Sequence, residues 1–167
     1  MSGGFLTTGN TSPRMDDSEP FTVDTVLAPV DGSEESATAV EYAIAIADRY
    51  DASVHALFVL GRGVVQGMNA GTVDEETIAT DTQGFFDRIQ AVADETDVPL
   101  VTAVDDGFSQ TRKTRHPGNV VLDTADTIDA DFIVLPREPV TDTASSEVLE
   151  KAAEYVLAYA SQPVLSV

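Results

Sequence analysis

The chain contains no cysteine, two histidines (His55 and His116) and two lysines (Lys113 and Lys151). Without thiols, disulfides, thiolate nucleophiles and thiolate metal sites are excluded. Two histidines are too few for a His-rich metal centre. No apolar run approaches the ~18 residues that a membrane span needs. The N-terminus lacks the basic segment and apolar core of a secretory signal. A cytoplasmic protein with no membrane partner is the expectation.

Basic residues are the next scarcity. Nine of them, seven being Arg, stand against 29 acids, for a net charge of -20. Such a surface repels bare nucleic acid, which is therefore not an expected partner. The acids are scattered through periodic segments and are not gathered into one tail, which marks a solvated surface. An acidic, Lys-poor surface suits a halophilic protein working in molar salt, where a Debye length of ~3 Å screens the self-repulsion.

What is present is a globular composition. Apolar residues make up 43% of 167 residues, and a domain of ~150 residues buries roughly two-thirds of its unfolded surface. Residues 1–20 are rich in Gly, Ser, Thr and Asp without periodicity and read as a flexible leader. Residues 21–167 form one domain.

That domain is organised around Thr22–Ala47. Val23–Val30 is a buried strand that stops at Asp31-Gly32 and turns directly into a helix, as a βαβ unit opens. Pro29 is awkward there, because proline donates nothing to a ladder, yet it lies one residue from the strand end. Asp31 or Ser33 can cap the helix. Ala37, Val40, Ile44 and Ala47 form its apolar stripe, with Glu34, Glu41 and Asp48 opposite. Ser53–Leu60 is a second strand, apolar on both faces as a parallel sheet requires; His55 within it has no legible partner. Gly61–Gly71 holds four glycines and reads as a mobile loop over the top of the sheet. A helix over Asp74–Asp94 presents Ile78, Phe85, Ile89 and Val92 inward. Val98–Val104 is the third strand. A helix from near Pro117 or Asn119 carries Val121, Ala125 and Ile128 inward. Phe132–Leu135 is the fourth strand. Glu147–Ala160 is the fourth helix, with Leu149, Ala152, Val156 and Ala160 inward, and Pro163–Val167 is the last strand. Five strands alternating with four helices imply an α/β fold, an open doubly wound parallel sheet with helices on both faces.

VLAPVDGSEES with its Ala-rich helix, DFIVLP, and the closing SQPVLSV resemble the universal stress protein family (UspA-like domains) over about Val23–Val167. The acidic composition is of a haloarchaeal kind. The resemblance implies strand order 3-2-1-4-5 and a homodimer, paired through Val164–Val167. In ATP-binding members, adenine and ribose rest against the first turn and the end of the second strand. The matching residues here are Pro29, Val30, Asp31, Val59 and, from the fourth strand, Leu135. The phosphates of such members are held by Gly-x-x-Gly, about nine residues, then Gly-Ser or Gly-Thr. Here the stretch is PREPVTDTASSEVLEK. Pro136 and Pro139 stand where the glycines would be, without an N–H to offer, and Glu138, Asp142, Glu147 and Glu150 repel a triphosphate. ATP binding of the usual kind is not expected.

Two ambiguities stay open. Asp31 is either a nucleotide contact or a helix cap. Arg112, Lys113 and Arg115, beside His116, are either a substitute anion site or partners for the acidic surface. Other readings fit less well. The first turn, PVDGSEES, is not GxGxxG; a receiver domain wants an acidic pair at the end of the first strand, where Asp31 stands alone. No Ser/His/Asp or paired-carboxylate arrangement emerges. A non-enzymatic stress-response module without a resident cofactor is the first expectation. The alternative is a sensor of adenine nucleotide (ATP or AMP) or a small anion, using Asp31 and the Arg112–Arg115 loop, with a nucleotide hydrolase as the weaker enzymatic alternative.

Overall fold

β1 (Thr25–Val30) lies at the centre of a parallel sheet because every residue from Val26 to Val30 is apolar and can be buried on both faces. The computed structural model describes residues 21–60, 62–105, 117–136 and 144–167. The other strands are β2 (Ser53–Val59), β3 (Leu100–Asp105), β4 (Phe132–Leu135) and β5 (Val164–Ser166), and the sheet order is β3-β2-β1-β4-β5. The helices are α1 (Glu34–Tyr50), α2 (Arg62–Ala70), α3 (Glu75–Thr96), α4 (Pro117–Thr127) and α5 (Ala144–Tyr159). The leader 1–20, the Arg112–His116 stretch and Pro139 lie outside the described residues.

The period-2 alternation of the strands sorts their side chains onto two faces. Val26, Ala28 and Val30 of β1 join Val54, Ala56 and Phe58 of β2 in a core shared with α1 and α3. Leu27, Leu57, Val59, Ile133 and Leu135 form the core shared with α4 and α5. On α1, Ala37, Val40, Ile44 and Ala47 are buried, while Glu34, Glu41 and Asp48 are exposed.

β1 and β4 are tied at their amino ends and part at their carboxyl ends. Asp131 Oδ2 accepts from the N–H groups of Asp24 (2.8 Å) and Thr25 (3.1 Å). The Asp131 N–H donates to the Thr25 carbonyl at 2.9 Å. Pairing then runs Val26↔Phe132 and Leu27↔Ile133. Since Thr25 faces β4, alternation turns Leu27 and Pro29 the same way. The missing donor of Pro29 therefore faces β4 beyond the paired stretch, while Pro29 keeps its register with Leu57 of β2. This is how a central strand tolerates a proline. The divergence also marks the switch point of the sheet, where crossovers change direction.

The expected loop over Gly61–Gly71 is corrected: it contains α2, so the described residues hold five helices and not four. α2 reaches α5, which places it over the carboxyl edge of the sheet. Its end folds back tightly. The Gly67 carbonyl accepts from the N–H groups of Thr72 (2.8 Å) and Val73 (3.0 Å), and a Cβ at Gly67 would collide with the Val73 side chain.

Candidate functional site

The turn after β1 is set by Asp31-Gly32-Ser33. Gly32 has φ +87°, a left-handed conformation that glycine adopts without strain. Ser33, and not Asp31, is the N-cap of α1: its side chain accepts from the Ser36 N–H at 3.1 Å. Asp31 sits two residues earlier and its Oδ1 accepts from the Ser33 N–H at 2.9 Å, a side-chain bond that closes the turn. The residue is only 8% exposed. Its second oxygen, Oδ2, is buried with no hydrogen-bond partner among the described residues. Leaving a buried carboxylate oxygen bare is costly.

Asp31 lines a cavity of about 320 Å³ with Gly32, Phe58, Leu60, Ile78, Asp81 and Thr82. Leu60, Ile78 and Thr82 are shared with a larger cavity of about 460 Å³ that continues between α2 and α3, past Met68 and Phe86 to Val104. The walls are built by packing. The Phe58 ring meets Phe85 and Phe86 edge-on at centroid distances of 6.1 and 6.0 Å, and lies in contact range of any Cβ placed at Gly32 (3.4 Å).

The five residues matched to an adenine site do not face one way. Val59 and Leu135 lie in the core beneath α4 and α5, and alternation puts Pro29 on that face. Val30 points into the opposite core, and Asp31 opens into the cavity on the α3 side. Arg112, Lys113 and Arg115 lie outside the described residues. His55 is at the amino half of β2, paired in register with Leu27 and Val101. Burial pushes its imidazole below the ordinary range, favouring the neutral form. Near the turn, the Arg88 guanidinium donates to Glu34 Oε2 at 2.6 Å, and this bond, with the charge behind it, lowers the Glu34 carboxyl. The pair is exposed and contributes little to stability.

Sequence reasoning missed Phe58 and Thr82. The signal for Thr82 was available. It falls four residues after Ile78 on an apolar stripe, is only 7% exposed, and is a hydroxyl where a core methyl would be expected. The described residues hold no cluster of three or more acidic, His or Cys side chains able to bind a metal. None of their helices is long and apolar enough to cross a membrane.

A five-stranded parallel sheet of order β3-β2-β1-β4-β5 with helices packed around it defines a protein of the open, doubly wound α/β class. The family model described as the universal stress protein family matches residues 22–167, and the chain belongs to that family. Universal stress protein MJ0531 of Methanocaldococcus jannaschii is 29% identical over 145 residues, covering 85% of this chain and 80% of the relative. The fold is shared with the universal stress protein UspA from Lactobacillus plantarum, at TM-score 0.66 and 22% identity, covering 89% of this chain and 99% of that one. It is shared also with the universal stress protein from Archaeoglobus fulgidus in complex with dAMP, at TM-score 0.56 and 16% identity, covering 88% and 98%.

Proposed function

We propose that the protein is a non-enzymatic, homodimeric stress-response module of the cytoplasm that does not hold ATP in the usual way. The observation that carries this reading is the stretch after β4, where Pro136 and Pro139 replace N–H-donating glycines and four acids surround them. A triphosphate there would lose its backbone donors and meet negative charge. The acidic surface suits a halophilic cytoplasm. The test is calorimetric titration of ATP and AMP into protein purified in molar KCl and stripped of bound ligand with acid. Neither nucleotide is expected to give saturable heat. Tight ATP binding would overturn the reading.

A second reading is favoured by the bare Oδ2 of Asp31. A carboxylate oxygen there accepts from an adenine amino group or a ribose hydroxyl, and a structural neighbour carries dAMP. On this reading Pro29, Val30, Asp31, Val59 and Leu135 contact AMP or ATP and the Arg112–Arg115 loop supplies the anion site. AMP heat that vanishes in Asp31→Ala would favour it.

Dimerisation through the last strand is supported by its hydrogen-bonding parity. The Pro163 carbonyl and the Val167 N–H bond to β4, so Val164 and Ser166 turn their N–H groups to the open edge, which invites a partner strand. Light scattering in molar KCl is expected to give twice the 17.7 kDa chain mass. Ser166→Pro removes an outward donor without touching the β4 ladder and is expected to give monomer. A monomeric parent chain would count against the proposal.

A further inference from the structure

The cleft between α2, α3 and the ends of β2 and β3 shares Asp31 with the nucleotide reading but adds an apolar body which that reading does not use. Its body is apolar: Leu60, Met68, Ile78, Phe86 and Val104 line the larger cavity of about 460 Å³. Such a volume lies in the range of small-molecule sites. Beside the neutral Asn69, Thr82 and Gln83, its charged features are one-sided. Glu75 lines the larger cavity, Asp31 and Asp81 line the smaller one, and no described basic side chain lines either. At the inner end stands Asp31, 8% exposed, with Oδ2 buried and unpartnered. Its other oxygen is already engaged by the Ser33 N–H, which holds the carboxylate in the turn.

An anion entering this cleft would meet carboxylates in a low-dielectric setting and leave Oδ2 still bare. A neutral apolar molecule would fill the walls and also leave Oδ2 bare. A cation with N–H donors satisfies Oδ2 through a charge-assisted hydrogen bond, which is shorter and roughly twice as strong as a neutral one, while an apolar body covers Leu60, Ile78 and Phe86. We propose that this cleft binds a small organic ammonium carrying an apolar or aromatic body, with the ammonium donating to Asp31 Oδ2 and the body lying between α2 and α3.

Three probes of one shape separate the contributions: 2-phenylethylamine (protonated at neutral pH), 2-phenylethanol and phenylacetate. Each is titrated into the full chain in molar KCl by calorimetry and ligand-observed NMR. Buried pairs are screened far less than surface ones, so the salt does not erase the effect. The amine is expected to saturate with a Kd of about 1 mM or tighter, as fragments of this size do. The alcohol should bind about tenfold more weakly, and the carboxylate not at all. Asp31→Asn keeps the shape of the turn and should bring the amine to the level of the alcohol. Ile78 lines both cavities, so Ile78→Trp should fill the cleft and abolish binding of both. Asp81 is exposed, so Asp81→Asn leaves the fold intact and should weaken the amine about threefold with the alcohol unchanged. Three results would each overturn the proposal: no saturation by the amine, phenylacetate binding as well as the amine, or amine binding indifferent to the Asp31, Asp81 and Ile78 changes. Adenosine binding lost in Asp31→Asn, with the amine silent, would favour the nucleotide sensor and reject the ammonium site.

Discussion

Gly118→Ala is expected to destabilise the protein by about 2 kcal/mol, although the same change in an open helix stabilises by about 1 kcal/mol. Gly118 is the second residue of α4 and is buried. A Cβ built there collides with the Cβ and Cγ atoms of Tyr155 on α5, and with Cδ1 at 2.5 Å. Atoms next to the tyrosine backbone cannot rotate aside, so the two helices must separate. Separation would open the core beneath them, where Val120, Val121, Ala152 and Val156 are fully buried. Overpacking of this kind costs about 1–3 kcal/mol and outweighs the propensity gain. Gly84, in the middle of α3, has nothing within 4 Å of a built Cβ, and Gly84→Ala is expected to stabilise by about 0.5–1 kcal/mol. Urea unfolding in molar KCl checks both signs, with unchanged m-values as the sign of an intact two-state transition. In a Tyr155→Gly background, which removes the clashing Cβ together with the ring, the penalty at Gly118 should largely vanish, a coupling that a double-mutant cycle measures directly. Two glycines with equal destabilisation would refute the packing argument.

The contrast between these glycines shows what the sequence could reveal. Apolar periodicity located five strands and four of the five helices, because burial dictates period 2 and period 3.6 whatever the details of contact. It did not locate α2. Gly61, Gly63, Gly67 and Gly71 each lower helix propensity by about 1 kcal/mol, and the segment reads as a loop on that account. Tertiary contact overrides that propensity, since the turn that packs against Gly67 needs the space a side chain would fill. The same limit applies to the site. The family resemblance named Pro29, Val30, Asp31, Val59 and Leu135 by matching position, but alternation scatters them over two faces. β2 is apolar on both faces, so nothing in its pattern says that Phe58 walls the cavity while Val59 lies in the other core. The bare oxygen of Asp31 was invisible as well. A carboxylate that closes a turn and one that also awaits a donor have the same sequence.

Phe58→Ala is expected to cost about 3–5 kcal/mol, the range for emptying a buried aromatic position. Three losses combine. The ring gives up its edge contacts with Phe85 and Phe86 at 6.1 and 6.0 Å, each worth about 0.5–1.5 kcal/mol beyond area. It uncovers Val30, its fully buried register partner on β1. It also leaves Gly32, at φ +87°, without the ring that lies beside the turn. Thermal unfolding should shift down by about 6–20 °C, given about 2–4 °C per kcal/mol for a chain of this size. Phe58→Leu keeps an apolar side chain near Gly32 and Phe86 and is expected to cost about 1–1.5 kcal/mol, leaving a folded protein for binding work. Because Phe58 and Asp31 line the same cavity, the leucine variant widens the cleft beside Oδ2 without removing the carboxylate. A probe held by Asp31 should then bind with a weakened apolar contribution and an unchanged preference for the amine over the carboxylate. Loss of that preference in Phe58→Leu would mean that the ring, and not Asp31, sets the selectivity of the cleft. A ring that contributed nothing to stability would show that the turn after β1 is held by α1 alone.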